Sequence, residues 1–212
     1  MARGKFVTLE GGEGGGKSTQ AEKLAAALAE RDVESILTRE PGGSPGAEEI
    51  RRLLVTGDPE RWQPFSEVLL HYAARFEHVH NTVLPALDSG QWVISDRFAD
   101  STLAYQGYGH DMDLDDIAAI HRMALGEFGP DLTVILDLPH ETGLARAGSR
   151  ADAEDRYERM EEAFHDRLRS GFLSIAEMYP ERCCVVDATV GIEAVHRAIL
   201  DAVETRLLAG NR

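Results

Sequence analysis

The sequence predicts an α/β fold in which helices flank a parallel sheet of five strands. Five short apolar runs alternate with longer segments of helical character, a pattern typical of right-handed βαβ units. The fourth run, from Leu132 to Leu138, is apolar almost throughout, as expected of a central parallel strand covered on both faces. Because the chain has 212 residues and neither a linker nor a repeat, we expect residues 1–212 to form one domain.

The first half of the chain contains three predicted strands. Residues 5–9 form the first strand, and residues 17–31 form a helix whose leucines lie four positions apart. Residues 34–38 form the second strand, which ends at the proline- and glycine-rich loop 39–46. The remaining elements of this half are a short helix through Leu54, a longer helix at 66–87 and a third strand at 91–95.

The second half of the chain continues the alternation. Asp113 or Asp115 can cap a helix that runs to about Gly126, because an aspartate side chain accepts hydrogen bonds from the first backbone N–H groups. The final helix carries an apolar stripe at helical spacing. The other predicted elements are a strand at 132–138, helices at 141–147 and 156–178, a strand at 183–186 and a helix from Ile192 to Val203.

Composition excludes several classes of protein. The formal net charge of −15 argues against non-specific binding of nucleic acid. No apolar stretch is long enough to span a membrane, and the first residues show no signal-peptide pattern, so we expect a cytoplasmic protein. Cys183 and Cys184 are adjacent within an apolar run, which is typical of reduced core thiols.

A glycine-rich loop follows the first predicted strand and opens the first predicted helix. Gly11, Gly16, Lys17 and Ser18 satisfy the pattern G-x-x-x-x-G-K-[ST], whose backbone N–H groups cradle phosphates. Lys17 is expected to contact the β- and γ-phosphates, and Ser18 to offer its hydroxyl to Mg²⁺. The alternative is a glycine-rich surface loop. The predicted nucleotide-binding residues are Gly11, Gly12, Glu13, Gly14, Gly15, Gly16, Lys17, Ser18 and Thr19.

Asp96 and Arg97 end the third predicted strand. In a protein with this phosphate loop, an aspartate there commonly holds Mg²⁺, so we predict a metal site made by Ser18 and Asp96. A guanidinium beside the metal can clamp a second, acceptor phosphate, so Arg97 is a candidate catalytic residue. The alternatives are an ordinary turn residue for Asp96 and a surface salt bridge for Arg97.

Four arginines lie between residues 143 and 159 among small and acidic residues. We interpret residues 147–157 as a lid, from which Arg150 and Arg156 close over the γ-phosphoryl group and exclude water. The alternative is an amphipathic helix with a solvated charged face, which we favour for Arg159.

Two further segments carry side chains suited to a nucleobase. One extends from His71 to Arg75 and the other from Ser101 to Gln106. Aromatic rings can stack on a base, and arginine and glutamine can hydrogen-bond to its edge. The alternative is ordinary core packing, which we favour for Tyr72 and Phe76.

Taken together, these motifs resemble the bacterial thymidylate kinases over nearly the whole chain. The resemblance rests on residues 10–18, on the loop Thr38–Gly43, on Tyr72–Arg75 and on the segment from Asp96 to Gly107. It implies a three-layer P-loop nucleoside monophosphate kinase fold with a five-stranded parallel sheet, and a homodimer packed through helices. It also implies transfer of the ATP γ-phosphoryl group to dTMP, giving dTDP, with Mg²⁺.

The resemblance implies a role for each matching residue. Arg75 contacts the thymine edge, with Gln106 and either Ser101 or Thr102 completing base recognition. Tyr105 crowds the 2′ position of the sugar. The other implied substrate contacts are Arg97 with Arg39 or Arg51 at the acceptor phosphate, Glu13 near the 3′-hydroxyl, Pro41 near the thymine methyl group, and Glu40 and His71 in the same site. Arg146 and the stretch Thr189–Val190 border adenine.

Two positions bear on that resemblance. The residue after Glu13 is Gly14 and not arginine, which is similar to family members that take their catalytic arginine from the lid. His71 stands where the family usually has a phenylalanine that stacks on thymine, and imidazole has a smaller face and a titratable charge. The competing functions are a kinase for another nucleoside monophosphate and a non-catalytic nucleotide-binding protein.

Overall fold

The computed structural model, which describes residues 3–147 and 155–209, contains one parallel sheet of five strands in the order β2-β3-β1-β4-β5. The predicted fold class is therefore confirmed. Each observed strand lies within about one residue of its predicted position. The strands are β1 Phe6–Glu10, β2 Ser35–Arg39, β3 Trp92–Asp96, β4 Leu132–Asp137 and β5 Cys183–Asp187.

Helices cover both faces of the sheet. The long helical stretch expected at 66–87 is continuous and widens in its middle: it runs through α3 (Pro64–His78), a π-helical turn at Val79–Val83 and α4 (Leu84–Asp88). The helices are α1 Lys17–Ala29, α2 Pro45–Val55, α3 Pro64–His78, α4 Leu84–Asp88, α5 Ala99–Thr102, α6 Leu114–Leu125, α7 His140–Ala147, α8 Glu162–Met178 and α9 Ile192–Val203.

Two observed elements differ from the prediction, and one open choice is settled. The helix expected from residue 156 begins only at Glu162, because residues 156–159 form a turn. The segment after β3 is helical through α5 and a π-helical turn at Leu103–Gly109, a helical segment absent from the predicted elements. Of the two candidate caps for α6, Asp113 is the one whose side chain accepts a hydrogen bond, from Asp115 N at 2.8 Å.

The core lies on both faces of the sheet and gives three layers. On one face, Val7 and Leu9 of β1 pack with Leu24 and Leu28 of α1 and with residues of α9. On the other face, the sheet packs against α8, α4 and the segment Leu103–Gly109. Within the described ranges, no helix combines the length and apolar character required to span a bilayer.

The topology brings the candidate residues together. In the sheet Leu9 of β1 lies beside Asp96 of β3, and Arg39 of β2 lies on the other side of Asp96. Since parallel strands share a direction, the loops after β1, β2 and β3 emerge at one edge, where ligands bind in such sheets.

Candidate active site

The glycine-rich loop turns directly from β1 into α1. Gly11 and Gly16 have positive φ angles of 125° and 85°, which a residue with a Cβ rarely adopts. The Lys17 ammonium folds back over the loop and donates to the carbonyl oxygens of Gly12 at 2.8 Å and Gly11 at 3.3 Å. Gly14 packs so closely on α7 that a Cβ there would lie 2.0 Å from Gly143 O.

Ser18 and Asp96 meet at the mouth of this loop. The Ser18 hydroxyl donates to Asp96 Oδ2 at 2.6 Å, although the two residues lie 78 positions apart. A hydroxyl and a carboxylate beside a phosphate-binding lysine are the hard oxygen ligands that Mg²⁺ prefers. The residues present therefore fit the predicted magnesium site.

Arg97 lies beside the phosphate loop and is held in a strained backbone conformation. Its φ angle is 72°, in the left-handed region that non-glycine residues rarely occupy. Its guanidinium donates to Gly11 O at 2.8 Å and to Glu13 Oε1 at 2.7 Å, and it lies over the Tyr105 ring. These contacts aim the guanidinium at the glycine-rich loop.

Two carboxylates near Arg97 have pKa values that are shifted in opposite directions. Burial raises the pKa of Glu13, but the charges of Arg97 and Lys17 outweigh it and hold that pKa at about 2. Glu13 also accepts from the Tyr105 hydroxyl at 2.6 Å. For Glu10, burial and the nearby charge of Asp100 raise the pKa to about 8. Glu13 is therefore a fixed anion, whereas Glu10 is a buried group that resists ionisation.

Glu40 orients Arg75, a second buried arginine of the candidate site. Arg75 is 1% exposed, and its Nε donates to Glu40 Oε2 at 2.7 Å. The second oxygen of Glu40 lies 2.9 Å from His78 Nδ1. Burial raises the pKa of Glu40, but the charge of Arg75 outweighs it and keeps that pKa below its usual value.

The Arg75 guanidinium keeps one nitrogen available. Its Nη2 donates to Phe98 O at 3.1 Å and to Thr102 Oγ1 at 3.0 Å. Its Nη1 is buried and has no hydrogen-bond partner among the described residues. A buried donor left unpaired is unfavourable, so this nitrogen marks a place where a ligand acceptor fits. Thr102, expected in base recognition, instead accepts a hydrogen bond from Arg75 and does not line the crevice.

His71 and Tyr157 form a further part of the wall. His71 Nε2 lies 3.0 Å from the Tyr157 hydroxyl. Burial and the charges of Arg75 and Arg156 lower the pKa of His71 to about 3, so the imidazole is neutral near pH 7. Tyr157 was not predicted as a site residue because no motif marks it; its only signal in the sequence is its position beside Arg156 at the end of the lid.

Most of the predicted substrate residues line one crevice of about 300 Å³. Arg51 Nη1 donates to Pro41 O at 2.6 Å, and Arg39 pairs with Glu48 at 3.1 Å. The predicted residues on the wall are Glu13, Gly14, Gly16, Lys17, Ser18, Thr19, Arg39, Glu40, Pro41, Arg51, His71, Arg75, Asp96, Arg97, Ser101, Tyr105 and Gln106.

Of the two predicted lid arginines, Arg156 does not lie where the prediction placed it. Arg156 is 0% exposed, lies 2.5 Å from Glu67 and donates to the carbonyl oxygens of Leu54, Asp58 and Pro59. The structure therefore does not bring Arg156 into the crevice, and we correct its role to that of an anchor between the lid and α2–α3. Arg150 lies outside the described residues.

Arg146 lies at the end of α7, away from the acceptor side. Its Nη1 donates to Ala188 O at 3.3 Å, next to the stretch Thr189–Val190. The structure thus brings together the residues that were expected to border adenine.

Comparison with known proteins decides the family. A model of the thymidylate kinase family matches residues 9–199. The chain belongs to the thymidylate kinase family. The thymidylate kinase of Caulobacter vibrioides is 52% identical over 207 residues, which cover 98% of this chain and 99% of that protein. The thymidylate kinase of Bradyrhizobium sp. strain ORS 278 is 50% identical over 97% of this chain and 92% of its own length.

A solved structure of the same family gives the same fold. The crystal structure of the thymidylate kinase from Ehrlichia chaffeensis matches with a TM-score of 0.74 and 34% identity, covering 95% of this chain and 99% of that one. The family, the P-loop kinase fold and the phosphotransferase class expected from the sequence are thereby confirmed.

Proposed function

We propose that this member of the thymidylate kinase family transfers the γ-phosphoryl group of ATP to dTMP, giving ADP and dTDP. One observation carries the proposal: a single crevice joins the Lys17 end, suited to a triphosphate, to the Arg75 end, suited to a base. Arg97 lies between the two ends, where the two anionic groups have to meet.

On the donor side, the chain supplies the phosphate cradle. The glycine-rich loop presents backbone N–H groups at the start of α1, and Lys17 moves from the loop carbonyls to the phosphates. Ser18 and Asp96 would hold Mg²⁺, which when bound neutralises charge on the phosphate oxygens. We propose that Arg146 borders adenine and that Arg150 supplies the lid charge.

On the acceptor side, arginines hold the phosphate of dTMP. Arg97, fixed by Glu13 and Gly11, offsets the repulsion between two polyanions, and Arg39 and Arg51 supply further donors. The attacking phosphate oxygen is already ionised, so the chain needs no general base. Catalysis then consists of positioning and charge stabilisation.

The sugar and base fit the far end of the crevice. Glu13 and Tyr105, which are hydrogen-bonded to each other, would face the 3′-hydroxyl and the 2′ position. The free Nη1 of Arg75 would donate to a carbonyl oxygen of thymine. Pro41 would lie near the thymine methyl group, which by itself discriminates against dUMP by only about 1–3 kcal/mol.

The experiment is a coupled assay of ADP release with ATP and Mg²⁺, comparing dTMP, dUMP, dGMP, AMP and no acceptor. We expect fast turnover with dTMP, slower turnover with dUMP, and little with the purine nucleotides. A Lys17→Ala variant provides the inactive control. Faster turnover with another acceptor would indicate a different monophosphate kinase, and no turnover with any acceptor would indicate a nucleotide-binding protein without activity.

We also propose a homodimer and a cytoplasmic location. Phe65, Leu69 and Phe76 leave about half of their surfaces exposed along one side of α3, an apolar stripe that a second copy would cover. Sedimentation of the wild type and of Leu69→Glu tests this surface. If it is the dimer interface, the variant should dissociate into monomers. The free thiols of Cys183 and Cys184 suit the reducing cytoplasm.

A further inference from the structure

Glu67 is a buried carboxylate that no step of the proposed reaction uses. It lies in the first turn of α3 and is 1% exposed. Burying a charge without partners is costly, so a buried glutamate is expected to be fully bonded. Glu67 meets partners from two separate parts of the chain, Gln106 and the adjacent pair Arg156–Tyr157.

Two of these partners donate hydrogen bonds to Glu67, and Arg156 forms an ion pair with it. Glu67 Oε1 accepts from Gln106 Nε2 at 2.7 Å and from the Tyr157 hydroxyl at 2.9 Å. Glu67 Oε2 lies 2.5 Å from Nη2 of Arg156. An ionised carboxylate only accepts hydrogen bonds. The Gln106 amide therefore has to turn its NH₂ group toward Glu67.

This contact fixes what Gln106 presents to a ligand. Gln106 is 0% exposed and lines the crevice. With its Nε2 bound to Glu67, its Oε1 lies on the other side of the amide and has no partner among the described residues. Arg75 Nη1 likewise has no hydrogen-bond partner among the described residues, but it is a donor. The base end of the crevice thus offers one acceptor and one donor.

We infer that Glu67 is a specificity-determining positioning residue, which locks the Gln106 amide so that its carbonyl oxygen faces the base. This inference rests on the proposed function. Thymine presents an N3–H donor beside the O4 acceptor, which complements Gln106 Oε1 and Arg75 Nη1. Cytosine reverses both groups, with an N3 acceptor beside an amino donor. If Gln106 were free to flip, the crevice would accept either pattern at that position.

The test compares Glu67→Gln with wild type, using kcat/KM for dTMP and for dCMP. The amide at position 67 can donate as well as accept, so the Gln106 orientation is no longer enforced. We expect kcat/KM for dTMP to fall by about 10- to 100-fold, mainly through KM, while the value for dCMP stays or rises. Glu77→Gln, on the exposed side of the same helix, removes the same charge and should keep both values.

A purely structural role for Glu67 predicts a different result. Loosened packing would lower both kcat/KM values by one factor and leave their ratio unchanged, and that outcome would overturn the inference. If Glu67→Gln does not fold, Glu67→Asp serves instead, because it keeps the charge toward Arg156 and withdraws the carboxylate from Gln106. The ratio of dTMP to dCMP should fall in that variant too.

A measurement on the wild type separates this inference from the proposed function. Binding of N3-methyl-dTMP, followed by calorimetry, should be at least about 10-fold weaker than binding of dTMP, since the methyl group removes the donor that Oε1 requires. Equal binding of the two nucleotides would refute the orientation of Gln106. Absence of dTMP turnover in the wild type would instead refute the proposed function, whatever the binding results.

Discussion

Replacing Arg97 tests the centre of the proposed mechanism in two independent ways. Arg97→Ala and Arg97→Gly both remove the guanidinium, and with it the hydrogen bonds to Gly11 and Glu13. They differ only in the backbone, which at this position has a φ angle of 72°. The two variants should therefore share one loss of activity and differ in stability.

The magnitudes follow from these contacts. Loss of one positioned donor to a transition-state charge lowers turnover by about 10²–10³-fold, and both variants should show it with dTMP. A left-handed conformation costs a residue with a Cβ about 1–2 kcal/mol, and glycine avoids this cost. Glycine loses more chain entropy on folding, worth about 0.5–1 kcal/mol. Arg97→Gly should therefore be more stable than Arg97→Ala by about 0.5–1 kcal/mol.

The assays are steady-state turnover of dTMP and equilibrium unfolding in urea at pH 7. Arg97→Lys provides a control for charge: it keeps a cation but not the forked guanidinium, so its activity should lie between wild type and the alanine variant. Near-normal kcat/KM in Arg97→Ala would remove Arg97 from the mechanism. Equal or greater stability of Arg97→Ala relative to Arg97→Gly would contradict the strained backbone.

Three further predictions concern single groups near the crevice. The folded-state pKa of His71 is about 3, so wild type should lose stability as the pH falls below about 6.5, by up to about 2 kcal/mol at pH 5. His71→Phe should escape this loss in urea unfolding and should keep dTMP binding in calorimetry. The pKa of Glu13 is about 2, so its stabilisation is present above pH 4.5 and disappears toward pH 2; the acid unfolding curve of Glu13→Gln should lack that component. Gly143→Ala places a Cβ 2.3 Å from Glu13 O and should lower the free energy of unfolding by about 1–3 kcal/mol, whereas Gly129→Ala, with open space around it, should not.

The sheet and the phosphate loop could be predicted because their signals are local. Apolar runs flanked by turn residues determine the strands, and Gly11 to Ser18 combine a motif with its strand and helix within 13 positions, 6–18. Asp96 and Arg97 could be predicted as site residues because the direction of parallel strands places their ends at one edge. Their proximity to the loop then appears as the contact between Ser18 and Asp96.

The remaining features depend on contacts between distant segments, which local patterns do not report. Nothing near Glu67 in the sequence indicates that it meets Gln106, 39 positions away, or Tyr157, 90 positions away. Arg156 has small and acidic neighbours in the sequence, as an exposed lid arginine would. In the folded chain, three backbone carbonyl groups and a carboxylate surround it. Such residues are found only when the packing of α2 and α3 against the lid is known.

The carboxylates in this crevice also bear on why so acidic a protein is suited to bind two polyanions. Glu40 holds Arg75 and Glu13 holds Arg97, so an anion already fixes the orientation of each of these two arginines. Pairing of this kind reduces the net positive charge of the crevice but lowers the entropy lost when the arginine binds, and it leaves selected nitrogens free. Recognition then depends on the direction of a few donors and not on the overall field, which is why a net charge of −15 is compatible with a phosphate-binding crevice. The same reasoning applies to the contact of Glu67 with the neutral Gln106 amide: in the proposed role, an anion that does not touch the substrate determines which atom of Gln106 does.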